Sequence, residues 1–135
     1  MNLTERTYDK LKGIVGAMSV VKPDATFYMN TAPKSATTPY IVFRVEDTID
    51  TSPTYQTTIK FMCWDIRNTS SSANIANADL IIETLNRKQF NYEDMGLHTT
   101  LTIQQSIPSE YLADKQCIEL QFDTTIYERT QYYGD

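Results

Sequence analysis

The chain has 135 residues, of which 41% are hydrophobic and 21% charged, with a formal charge of -5 at neutral pH. That length and apolar content suit one domain with a single core, and they exclude both the composition of a disordered chain and that of a membrane protein. Between Glu110 and Asp135 six carboxylates face only Lys115 and Arg129, an imbalance that disfavours a nucleic-acid reader driven by counterion release.

No run approaches the roughly 18 apolar residues that would span a bilayer, and MNLTERTYDK lacks the basic-then-apolar order of a signal peptide. The expectation is a soluble protein made in the cytoplasm. Cys63 and Cys117, with His98 as the single histidine, are too few and too scattered for a zinc site. Both cysteines lie in strand-like runs and read as small buried hydrophobes, a Cys63–Cys117 disulfide being the alternative.

Residues 4–18 predict an amphipathic helix, with Tyr8, Leu11, Ile14, Val15 and Met18 on one arc and Thr4 available as N-cap. Gly13 and Gly16 gather on a neighbouring arc, where they either fray the helix end or admit a close neighbour. A short apolar run, Thr26 to Met29, precedes the irregular NTAPKSATTP. Pro39 then opens YIVFRVED, whose alternation predicts a strand, and the polar EDTIDTSPTY leads as a connection or hairpin into the next.

That next strand, Tyr55 to Ile66, changes along its length. One face reads Ile59, Phe61, Cys63; the other starts as Gln56, Thr58, Lys60 and becomes Met62, Trp64, Ile66, so its second half calls for cover on both sides. A helix over 71–87 follows, capped by Ser71 or Ser72, with Ile75, Ala78, Ile81, Ile82 and Leu85 on its apolar arc and Ala76 and Leu80 roughly opposite. Asn91–Gly96 supplies a turn. Leu97, Thr99, Leu101 and Ile103 then share one face of a strand, as do Ile118, Leu120, Phe122, Thr124 and Ile126 of the last. The order α-β-β-β-α-β-β with hairpin-length connections predicts a single α+β domain, a mostly antiparallel sheet packed against two helices, with 128–135 as a flexible tail.

The turn NTSSSAN between the long strand and the second helix has no glycine to aim backbone N–H groups at a phosphate, so its serines read as helix caps. Cys63 would need a base as a nucleophile, and His98 falls by alternation on the solvent side of its strand. Asp65 fits a capping or turn-initiating role. The carboxylate pairs Glu46/Asp47/Asp50 and Glu93/Asp94 stand in polar, solvated contexts unlike the buried pairs of acid-base catalysis. The expectation is a protein without catalytic residues, cofactor or metal.

The strand opened by PYIVFRVED, the strand IKFMCWDI running into ANIANADLIIETLN, and the late strand ending QFDTTIYER stand in an order that resembles the small tail-completion or tail-terminator proteins of long-tailed bacteriophages and prophages. The resemblance covers nearly the whole chain, though this sequence lacks the glycines often seen in the corresponding turns. It implies an α+β fold that forms a ring, typically hexameric, at the head-proximal end of the tail. Such a ring stops tail-tube polymerisation and joins the tube protein to the head-connector protein, with DNA passing through its lumen and no membrane involved. The subunit-interface candidates are the surplus apolar positions Met62, Trp64, Ala76 and Leu80 and the acidic Glu46, Asp47 and Asp50. The alternative is a small non-catalytic binding domain with its pocket near Trp64.

Overall fold

The computed structural model describes residues 2–66, 73–108 and 115–129. Among these the elements run α1 (Leu3–Val21), β1 (Phe27–Met29), β2 (Tyr40–Val45), β3 (Ile49–Asp50), β4 (Tyr55–Ile66), α2 (Ala73–Leu85), β5 (Lys88–Asn91), β6 (Met95–Pro108) and β7 (Lys115–Glu128). The strands form one sheet ordered β1-β2-β4-β7-β6-β5, with β3 beside β4 in the lane where β2 ends. The short β1–β2 pair is parallel and the other pairings are antiparallel. The protein is α+β, as its alternating strands and hairpin-length connections predict.

Asn2, rather than Thr4, caps α1: its side chain accepts the Glu5 N–H at 2.8 Å. The Thr4 hydroxyl is committed elsewhere, 2.6 Å from that of Thr48. The helix continues past both glycines to Val21, and among the described residues a Cβ at Gly13 or Gly16 would meet nothing within 4 Å, so they neither end the helix nor seat a described neighbour. Its buried arc is Thr7, Leu11, Ile14, Val15 and Met18.

Both helices pack on the same face of the sheet. Ile41 and Phe43 of β2, Ile59, Phe61 and Cys63 of β4, and Leu120 and Phe122 of β7 form one cluster with Leu11, Ile14, Met18, Ala78, Ile81 and Leu85. Phe61 is its centre, stacked on Phe43 at 6.1 Å and edge-on to Phe122 at 5.9 Å. A smaller cluster, Met95, Leu97 and Ile126, closes the other end of the sheet beneath Leu3.

Three expectations are corrected by packing. Ile103 does not share a face with Leu101: a β-bulge between them shifts the register, so Leu101 pairs with Phe122 while Ile103 pairs with Gln121. The buried arc of α2 is Asn74, Asn77, Ala78, Ile81 and Leu85. Ile75, expected in the core, is 51% exposed, and Leu80, expected opposite it, is half-buried and packs against the core. Finally, β5 occupies Lys88–Asn91, directly after α2, where no strand is predicted; KQFN sits on a sheet edge and needs only Phe90 to turn inward.

The predicted caps Ser71 and Ser72 lie outside the described residues, as do 130–135 of the expected tail. Glu128 ends β7, and the Arg129 N–H donates to the Asp94 carbonyl at 2.9 Å.

Candidate interaction surfaces

Because β2, β4 and β7 alternate in register, the residues between the core positions point away from both helices. In β2 and β4 these are Tyr40, Val42 and Arg44 beside Trp64, Met62 and Lys60; in β7 they are Cys117, Glu119 and Gln121. Met62 and Trp64 are half-buried on this face, while Tyr40 and Val42 are buried. Among the described residues no helix covers this face; neighbouring side chains flank it, including Tyr28, edge-on to Tyr40 at 5.8 Å.

The two cysteines fall on opposite faces. Cys63 opposes Ile118 in the helix-side core, and Cys117 opposes Trp64 on the other face, so the free thiols cannot meet across the sheet. Burial pushes both thiols up, helped for Cys63 by Cys117; burial and then the Glu119 carboxylate push Cys117 up to about 12. Each stays protonated at neutral pH, a poor nucleophile. His98 lies on the open face opposite Thr125, away from Cys63. Among the described residues no group of three His, Cys, Asp or Glu side chains is placed to hold a metal ion.

Beyond β2 the chain continues along β4 as an acidic arm. Glu46 receives Lys60 Nζ at 3.1 Å and lies 3.6 Å from Arg44 Nε. Asp47, Ile49 and Asp50 are exposed, Ile49 by 63%. The Asp50 carboxyl accepts the Ser52 N–H at 2.8 Å and the Ser52 hydroxyl at 2.9 Å, which hold its pKa below the usual carboxylate range. Glu46, Asp47, Ile49, Gln56, Thr58 and Asp123 line an open groove of about 300 Å³.

The candidate residues thus separate into three places. Glu46, Asp47 and Asp50 belong to the arm. Met62 and Trp64 lie on the open sheet face, and Ala76 lies exposed on α2 across the sheet from them, beside Ile75.

Sequence reasoning missed Asn74 and Asn77. Both are buried at the start of α2, and among the described residues neither side-chain oxygen has a hydrogen-bond partner. Asp65 does cap this helix: its carboxylate accepts the Asn74 N–H at 3.3 Å from a buried position. No residue-type signal marks the asparagines, since their burial follows from how α2 is rotated about its axis.

The chain matches no protein-family model and no curated protein.

Proposed function

We propose that the protein is a non-catalytic structural component of a phage virion, a tail-completion or tail-terminator protein. It forms a ring, typically hexameric, on the head-proximal end of the tail tube and joins the tube to the head connector. The observation that carries the reading is a pair of unlike exposed surfaces on well-separated elements: the arm with Asp47, Ile49 and Asp50, and the outer side of α2 with Ile75 and Ala76. A head-to-tail ring needs two different patches on each subunit, whereas a two-fold dimer needs one. The open sheet face with Met62 and Trp64 would lie toward the tube or connector, and an acidic lumen would let DNA pass without adhering. Buried, protonated thiols agree with a role that asks for no nucleophile.

Size-exclusion chromatography with light scattering, followed by negative-stain imaging with purified tail tubes, tests the reading. Rings, or tubes capped at one end, are expected. A chain that stays monomeric at high concentration and leaves tube ends bare would overturn it.

The groove beside Glu46 favours the second reading, a small binding domain, although it lies away from Trp64, where such a pocket is predicted. A small molecule that binds there and raises the melting temperature of a monomer would favour that reading instead.

A further inference from the structure

Strand β6 is paired on both sides for only part of its length. β5 covers it from Gly96 to Thr99; beyond that, β7 alone pairs with it as far as Pro108. The Leu101 N–H finds Asn86 Oδ1 at 2.9 Å, but from Thr102 to Ser106 every residue is exposed, Ile103 by 37%. Among the described residues nothing lies in the lane that β5 vacates.

Edge strands are ordinarily blunted by charge, proline or brevity. Here TTLTIQQSIP, residues 99–108, contains no charged residue, and its proline comes at the far end. The bulge at Thr102 interrupts the edge once, which leaves Ile103 to Ile107 as a regular, uncharged template.

The opposite margin of the sheet is open in a complementary way. β1 covers β2 only over Ile41–Phe43, so the arm beyond Val45, paired to β4 over Ile49–Asp50 and tied to α1 where the Thr48 N–H donates to the Thr4 hydroxyl at 3.2 Å, has no strand on its outer side among the described residues and carries the exposed Asp47 and Asp50. Where the β6 edge begins, the exposed side chains of Arg87 and Lys88 flank it. One margin is basic at its end and the other acidic, so head-to-tail contact satisfies both.

We infer that the occupant of the β6 edge is a second copy of this chain, whose arm, residues 46–50, adds beside Thr102–Ile107 as an extra strand and brings Asp47 and Asp50 to Arg87 and Lys88. The sheet then continues from one subunit to the next. The inference rests on the ring reading and specifies its subunit contact. Backbone hydrogen bonds supply affinity and the charge pairing sets direction.

The test uses the full-length chain in three forms. Ile103→Glu with Gln105→Glu places on the edge the same sign of charge that the arm carries. Arg87→Glu with Lys88→Glu reverses one margin, and Asp47→Lys with Asp50→Lys reverses the other. Circular dichroism melts establish that each variant folds, and light scattering reads self-association.

Each variant alone should weaken self-association by about a hundredfold, from like charges brought together at the contact. A one-to-one mixture of the two charge-reversed variants should recover it, since every contact in an alternating assembly is then matched. A monomeric wild type, a wild-type oligomer indifferent to the three variants, or a mixture that fails to recover would each overturn the inference. An oligomer that survives the edge variant leaves the ring reading standing with another contact. Edge-paired assemblies that never bind tail tubes support the inference and defeat the tail-capping role.

Discussion

Strand β4 shows two sides of one sheet built from one alternating sequence. Ile59, Phe61 and Cys63 are sealed under two helices, while Lys60, Met62 and Trp64, each one residue away, remain half-exposed on a face that no described helix covers. The first side holds the fold together and leaves nothing for a partner. The second contributes less to stability and keeps an aromatic surface available, so substitutions on the two sides should separate folding from assembly.

The largest expected difference is between Phe61→Ala and Trp64→Ala. Phe61 is 0% exposed and lies between Phe43 and Phe122, so its removal leaves a cavity and should cost about 3–5 kcal/mol. Against a typical domain stability of about 5–15 kcal/mol, that is enough to populate unfolded chain. Trp64→Ala should cost only about 1–2 kcal/mol, because its side chain is partly exposed and lies outside the helix-covered core. Urea denaturation of both variants measures the comparison; equal losses would mean that the open face is as structural as the core.

Arg87 offers a change in the opposite direction. It follows the last turn of α2 at φ 58°, a left-handed conformation that suits glycine at a helix C-terminus and strains a side chain. Arg87→Gly should therefore raise stability by about 1 kcal/mol, read as a higher urea midpoint. It also removes one of the two basic groups beside the β6 edge, so self-association should weaken while the subunit becomes more stable. A variant that weakened both would tie the edge to the core rather than set it apart.

What could be read in advance follows the same division. Alternation along β2, β4 and β7 is a backbone property, so the faces carrying Phe43, Phe61 and Phe122 were legible from spacing alone. Ile103 was misplaced because a single inserted residue reverses every side chain beyond it, and TLTIQ carries no mark of the insertion. The start of α2 misled for another reason: Ile75 outranks Asn74 and Asn77 in hydrophobicity, yet packing of Ile81 and Leu85 fixes the rotation that buries the asparagines. Of the candidate interface, the acidic arm was visible as a polar segment. The β6 edge was not, because an unpaired margin depends on where β5 stops, and β5 itself went unpredicted.

The smallest effect belongs to the ion pairs that tie α1 to the sheet. Arg6 pairs with Glu128 and, at 3.4 Å, with Asp94; Lys10 reaches Asp94 at 3.0 Å. Burial alone would push the Asp94 carboxyl up, but hydrogen bonds from Lys10, its own backbone and Arg6, with the charge of Lys10, hold it below the usual carboxylate range. A carboxylate depressed in the folded state adds stability that is complete above its unfolded pKa and fades as pH falls through the folded value. Wild type should therefore lose stability on acidification below about pH 4, and Asp94→Asn should lose less over that interval while starting lower at neutral pH. Since these side chains are partly exposed, the difference should shrink in high salt. Thermal melts across that pH range at two salt concentrations check it: an unchanged acid slope in Asp94→Asn would remove this network from the helix-covered side and leave apolar packing as its main support.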